Sequence, residues 1–290
     1  MERPAPQLID GRMVAERIHD EVRSGAGALR AKGLEPHLVA VQVGADPATG
    51  IYVRRQRDQF ERLGIRYSLA ELPAEADIAT VEQRVDELNR DAGVTGILVL
   101  QPLPKHLPVE RIEERISPGK DVEGLHPANL GLLALGRPRV APCTALAAMA
   151  AIEATGIPVA GKRVVIIGRS NVVGKPLGLL LIQARATVTT CHTATVDLAG
   201  EAKRADILVA AAGRPGLVTR NMVTPGTIVI DVGIHRLPGP PPRTIGDVAY
   251  EEVAPICGWI TPVPGGVGPI TVAMLARNTL ACAQAARESR

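Results

Sequence analysis

Val164–Pro176 reads VVIIGRSNVVGKP: four β-branched residues, Gly168, three polar residues, two valines, Gly174 and a Lys-Pro pair. The β-branched run favours a buried strand, the glycine a tight turn, and the proline the first turn of a helix. A helix that begins just above a strand end presents free backbone N–H groups and a positive dipole end, a setting that suits a phosphate. By itself the stretch also fits an ordinary strand-to-helix connection, so its neighbours decide.

Downstream, strands are predicted at Thr187–Cys191, Ile207–Ala211 and Thr227–Val232. They alternate with helices at Pro176–Ala184 and Val196–Lys203, and a Pro-rich hairpin-like stretch follows near Leu237–Pro242. Alternating strands and helices imply a doubly wound parallel sheet. In that setting Gly168 and Gly174 stand as the outer glycines of a Rossmann-type dinucleotide fingerprint, with Ser170 at the middle position. The next strand ends in Cys191-His192-Thr193 and meets no carboxylate before Asp197. An NAD site usually has an acid at that strand end for the ribose hydroxyls; a neutral end beside Arg169 suits the 2′-phosphate of NADP.

The first half repeats the alternation. A helix over 8–32 is followed by the strand His37–Gly44, a helix from about Ala48 to Leu63 and the strand Ile65–Leu72. Then come the helix Ile78–Arg90 and the strand Gly96–Leu100. Gln101–Pro108 (QPLPKHLP) has too many prolines for a helix interior or a central strand. It reads as a rigid loop at the C-terminal end of a strand, where ligands of open α/β sheets bind. A short helix Val109–Ile116, the charged turn KDVEG (120–124) and an alanine-rich helix Thr144–Thr155 follow. The chain ends in a Gly/Pro loop, Thr261–Pro269, and an apolar helix Ile270–Ala286. A composition shift near 140–160 marks the expected domain boundary. Residues 1–141 with 270–290 would form one α/β domain, and residues 142–269 the Rossmann-like one.

Composition narrows the function classes. Net charge is +3, from 33 basic and 30 acidic residues, and aromatics are confined to one Trp, one Phe and three Tyr. Neither a basic nucleic-acid surface nor a base-stacking platform is built from this. No apolar run approaches the roughly 18 residues of a membrane span, and the N-terminus has no signal-like apolar core. Cys143, Cys191, Cys257 and Cys282 are far apart and read as reduced, isolated thiols of a cytoplasmic protein. The six His form no metal-ligand spacing with Cys or carboxylates, so no metal is expected.

GRSNVVGKP, ADILVAAAG, TPGTIVIDVGIHR and ITPVPGGVGPITVAMLARNT, taken together, resemble the bifunctional methylenetetrahydrofolate dehydrogenase/methenyltetrahydrofolate cyclohydrolase family. LIDGRMVA, VGADPATGIYV, QPLPKHLP, KDVEGLHPANLG and APCTA extend the resemblance over nearly the whole chain, in order. The resemblance implies two α/β domains with a folate cleft between them, a tetrahydrofolate one-carbon derivative as substrate, NADP on the second domain, and a homodimer. On the cofactor side it points to Gly168, Arg169, Ser170, Gly174, Thr193, Gly213 and Ile234. On the substrate side it points to Tyr52, Gln101, Glu123, Pro264 and Gly265.

Three family positions that carry chemistry are altered. The family has Tyr-x-x-x-Lys where this chain has Tyr52-Val53-Arg54-Arg55-Gln56. A Gln opening a QLPLP loop is replaced by Leu100, with Gln101 following. The second Asp of KDVDG is Glu123. An amide has no titratable proton, so Gln56 can orient a water but cannot act as an acid or base. The expectation is a working dehydrogenase whose cyclohydrolase step is weak or lost. Two other readings stay open: a specialised-pathway enzyme using a folate one-carbon unit or an imine-like substrate, and a non-catalytic folate- or NADP-binding homologue.

Overall fold

The computed structural model describes residues 6–44 and 47–288; the side chains of residues 47–49, 51, 52 and 288, Tyr52 among them, lie outside the description. The first stretch of elements is β1 (Gln7–Leu8), α1 (Gly11–Arg30), β2 (His37–Val43), α2 (Pro47–Arg62), β3 (Arg66–Leu72), α3 (Ile78–Arg90), β4 (Gly96–Val99), α4 (Val109–Arg115) and α5 (Pro127–Ala134). It continues through α6 (Cys143–Glu153), β5 (Arg163–Ile167), α7 (Gly174–Gln183), β6 (Thr187–Cys191), α8 (Leu198–Lys203), β7 (Ile207–Ala210) and β8 (Ile228–Asp231). Last come the hairpin strands β9 (His235–Leu237) and β10 (Arg243–Ile245), then α9 (Tyr250–Val253), β11 (Trp259–Ile260) and α10 (Val267–Glu288).

Two compact units divide the chain: Met1–Glu16 with Pro142–Met274, and Arg17–Ala141 with Leu275–Arg290. The first is built on a parallel sheet in the order β1-β11-β8-β7-β5-β6. β5, β7 and β8 are buried along their inner residues because both faces are covered. Val165, Ile167, Leu208 and Val229 face one core with Val253 and Ile260. The intervening Val164, Ile166, Ile207 and Ile228 are equally buried on the opposite face, the side of α6 and α7. The chain leaves β5 toward β6 on one side and returns to β7 on the other. This is the switch point at which an open α/β sheet forms a crevice.

The N-terminus departs from the sequence expectation. β1 joins this sheet, with Gln7 opposite Trp259 and Leu8 opposite Ile260, and the Gly11 N–H donates to Gly265 O (2.9 Å). A Cβ on Gly11 would collide with Gly266 O, so glycine is required by this close approach. Residues 270–274 also stay with this unit rather than with the first half. A two-residue strand has no period to read, which is why β1 and β11 escape the sequence.

The second unit carries the parallel sheet β3-β2-β4. Central β2 is buried throughout; Val39, Val41 and Val43 pack with Ile97, Val99, Val81, Val85, Leu88, Ile112 and Ile116. Ala26 and Leu29 of α1 meet Leu280 and Ala283 of α10 in a separate cluster. α5 was not foreseen. His126 caps it, its Nδ1 accepting the Ala128 N–H (3.0 Å), with Pro127 opening the helix.

Candidate active-site residues and the cofactor cavity

In the six-stranded unit a cavity of about 490 Å³ opens at the C-terminal ends of β5, β6 and β7. Gly168, Arg169 and Ser170 line it after β5, His192, Thr193 and Thr195 after β6, and Ala211, Ala212 and Arg214 after β7. Gly168 has φ 127°, and a Cβ there would strike Ala211 O; one on Gly174 would strike Gly168 O. These two glycines let the turn lie against the neighbouring strand and the helix against the turn. Ser170 Oγ accepts the Val173 N–H (3.1 Å), which shapes the turn before α7.

The donor set fits a phosphorylated dinucleotide. The first carboxylate beyond β6, Asp197, is engaged as the cap of α8, with Oδ1 accepting the Gly200 N–H (2.9 Å). The exposed guanidinium groups of Arg169 and Arg214 both line the cavity. Of the residues expected from sequence, Gly168, Arg169, Ser170 and Thr193 come together here. Gly174 supports the turn from beneath, and Gly213 adjoins the lining through Ala212.

Ile234 lies elsewhere. It is 71% exposed and lines a second cavity of the same unit, about 430 Å³, with Arg12, Thr144, Asp231, Pro264 and Gly265. Pro264 follows a cis peptide, and Gly265 has φ 106°. Two buried carboxylates that the sequence did not single out belong here: Asp231 in the lining, and Asp247, whose N–H donates to Asp231 Oδ1. Burial lifts the Asp231 carboxyl to about 6, against the opposing pull of its N–H donors.

The remaining candidates belong to the three-stranded unit. Val53, Gln56 and Phe60 form a buried stripe of α2 that Leu63 continues just past its end; Gln56 is 3% exposed. Phe60 and Tyr67 meet edge to face (centroids 5.9 Å apart), and the Tyr67 hydroxyl donates to Gln56 Oε1 (2.9 Å). Among the described residues, Gln56 Nε2 has no acceptor. Tyr52, the other residue of this helix to which the resemblance points, lies outside the described side chains.

Leu100 is buried at the end of β4, and its N–H donates to Val41 O (2.9 Å). Gln101 is exposed, begins a cis peptide to Pro102, and hydrogen-bonds the Glu113 side chain. The Gln101 amide thereby engages α4. Burial, then Asp121 and Glu110, push the Glu113 carboxyl up to about 6, opposed by Gln101. Glu113 was missed because the α4 pattern gives no sign that this carboxylate is half buried.

Glu123 is set by a turn whose hub is Asp121. Asp121 Oδ1 accepts the N–H groups of Glu123 (3.2 Å) and Gly124 (2.9 Å), and Oδ2 accepts those of His126 (2.8 Å) and the Asn129 amide (2.9 Å). Burial first, and then the carboxylates of Glu113 and Asp121, push Glu123 up to about 8. Lys120, the first residue of KDVEG, has a structural task. Its ammonium donates to the carbonyls of Leu88, Asn89 and Asp91 (2.7–2.8 Å) at the end of α3. The described residues contain no cluster of metal-ligating side chains and no helix long and apolar enough to cross a membrane.

Residues 142–287 match the tetrahydrofolate dehydrogenase/cyclohydrolase NAD(P)-binding domain, and residues 9–123 match the catalytic domain of the same name. The chain belongs to the tetrahydrofolate dehydrogenase/cyclohydrolase family. It is 46% identical over 285 residues to the bifunctional protein FolD of Bordetella petrii (97% of this chain, 96% of that one). It is 48% identical over 278 residues to that of Dechloromonas aromatica (96% and 97%). Among solved structures it is similar to the bifunctional FolD enzyme of Campylobacter jejuni, with TM-score 0.92, 41% identity, and 97% and 99% of the chains covered. It is also similar to the Trypanosoma brucei FolD complexed with NADP and an inhibitor, with TM-score 0.90, 38% identity, and 99% and 100% covered. The family's NAD(P)-binding domain coincides with the sheet that carries the Gly168 turn.

Proposed function

We propose that this chain oxidises 5,10-methylenetetrahydrofolate to 5,10-methenyltetrahydrofolate with NADP, and that its cyclohydrolase step is strongly slowed. The observation that carries the second half is Gln56, an amide on a buried helix stripe at the position where the family resemblance expects a lysine.

NADP as acceptor is supported by the missing acid at the end of β6, the capping duty of Asp197, and the two arginines of the cavity. It is further supported by the Trypanosoma brucei relative's complex with NADP. Gly168, Arg169, Ser170, Gly174 and Thr193 would hold it, and the nicotinamide, when bound, takes up the hydride. Gly213 and Ile234 are assigned to the same cofactor through the loops after β7 and β8.

Hydride loss leaves a cation spread over N5, the bridging carbon and N10. Oxidation itself needs position and a compatible field rather than a proton relay. Glu123, grasped through the Asp121 turn, is assigned to the pterin, with Tyr52, Gln101, Pro264 and Gly265 as further substrate contacts. Hydrolysis differs. Water must add to the cation and a C–N bond must open, which moves protons. Gln56 can donate an Nε2–H or hold a water but cannot exchange a proton, and Leu100 supplies no polar side chain. The loss of acid–base help is expected to lower the hydrolytic rate by about 10²–10⁴-fold. The assignment also carries the homodimer implied by the family resemblance and the cytoplasmic location read from the wide spacing of the cysteines in the sequence; size-exclusion chromatography and cell fractionation check them.

The test is a pair of substitutions, Gln56→Lys with Leu100→Gln. Hydrolysis of added methenyltetrahydrofolate is expected to rise by about 10²-fold or more over the unaltered protein. No gain, in a variant that still folds and reduces NADP, removes Gln56 and Leu100 as the cause.

A further inference from the structure

Asp231 and Asp247 are respectively 3% and 0% exposed, and the reaction described above uses neither. Their surroundings are built around them. A Cβ on Gly233 would collide with Asp247 Oδ1, and one on Gly246 with Asp231 Oδ2. Asp231 Oδ1 accepts the N–H groups of Gly233 (3.0 Å) and Asp247 (2.9 Å), and Oδ2 accepts that of Val248 (3.0 Å). Asp247 Oδ2 accepts the N–H groups of Ala212 (2.6 Å) and Gly213 (2.8 Å). The two carboxylates thereby tie the loop after β7, which lines one cavity, to the loop after β8, which lines the other.

Among the described residues, the side-chain partner of Asp247 Oδ1 is the Nε2–H of His235, at 2.7 Å. His235 stands at the base of the β9–β10 hairpin, paired with Ile245, directly after the cavity residue Ile234. Its imidazole is one-fifth exposed while its acid partner is fully buried. Removing one partner of a buried charged hydrogen bond leaves the other unsatisfied. Asp247 would then have to turn toward solvent or another donor, and the Ala212 and Gly213 N–H groups would lose their acceptor.

We propose that His235 is a positioning residue for the cofactor: through Asp247 it fixes the Ala211–Gly213 and Val232–Ile234 loops in the arrangement that receives NADP. The inference rests on the NADP reading above. It adds a residue that touches neither cavity through its own side-chain bond but sets the fraction of molecules whose loops are ready to bind. Apparent affinity falls in proportion to that fraction.

Calorimetric titration of NADP into the protein and into His235→Ala and His235→Gln tests it, alongside kinetics and thermal midpoints. Gln places an amide N–H where the ring Nε2–H stands. For His235→Ala, Kd and KM for NADP are expected to rise about tenfold, which corresponds to a tenfold drop in the competent fraction. Its kcat at saturation should change less than about twofold, since the chemistry is untouched once the loops are held. His235→Gln is expected to bind within about twofold of the unaltered protein, because it restores the donor. An unchanged Kd in His235→Ala overturns the proposal. So does an equal loss in both variants accompanied by a large fall in melting temperature, which is the signature of general destabilisation. Failure of the unaltered protein to bind NADP overturns instead the reading on which it rests.

Discussion

Gln56 shares its face of α2 with Val53 and Phe60, where a polar side chain is the informative exception. Its Oε1 is satisfied by Tyr67 and, among the described residues, its Nε2 is not; an unmade buried hydrogen bond costs roughly 1–3 kcal/mol. A polar group retained at such a cost points to a partner in the working complex. Glu123 gives a second prediction at this scale. Its folded carboxyl is raised to about 8 from an ordinary value near 4.5, so the folded protein holds a proton that the unfolded chain releases between those values. The unfolded state then binds fewer protons, and stability is expected to fall as pH rises from about 4.5 to about 8. Glu123→Gln removes this group, so its stability relative to the unaltered protein should be higher at pH 8 than at pH 5 in urea unfolding. An identical difference at both values contradicts the burial account. In the unaltered protein, the dehydrogenase kcat/KM is expected to climb as Glu123 ionises toward pH about 8, because its charge then offsets the developing cation. The glutamine variant should lack that rise.

At the scale of elements, the LIDGRMVA and PVPGGVGP stretches turn out to be one construction. Gly11 opens α1 against the Gly265–Gly266 backbone, with no room for a Cβ. Gly11→Ala is expected to push the Pro264–Gly266 loop outward and to lower stability by about 1–3 kcal/mol, read as a lower urea midpoint. A variant with an unchanged midpoint contradicts the close approach. Much of this scale was legible in the sequence: the β5 turn, the alternation of strands and helices and the Pro-rich loop after β4 all stand where periodicity and turn residues put them. What was not legible has a common physical form. β1 and β11 are too short to show a period, and α5 has a cap made by a histidine ring rather than by Ser, Thr, Asp or Asn. The Asp121 hub, the Lys120 cap on α3 and the Asp231–Asp247–His235 ties depend on residues brought together by folding. The burial of Gln56 is different in kind, because Val53, Gln56, Phe60 and Leu63 recur at helical spacing in the sequence itself.

For the whole molecule, family membership covers both units of the chain and fixes the class of chemistry. Within that class, one half of the chain keeps the features needed to receive a phosphorylated dinucleotide. The other half has a buried amide at Gln56, an exposed Gln101 after the buried Leu100, and Glu123 held by the Asp121 turn; under the function proposed above, these stand where hydrolysis calls for a proton carrier and its partners. Hydride transfer and hydrolysis make different demands on those positions, so the two activities are expected to separate. The most direct test mixes purified protein, 5,10-methylenetetrahydrofolate and NADP, and follows nicotinamide reduction and methenyltetrahydrofolate in the same cuvette. Methenyltetrahydrofolate is expected to accumulate in step with NADPH. NADPH formation with methenyltetrahydrofolate removed as fast as it forms, well above its uncatalysed hydrolysis, would contradict it.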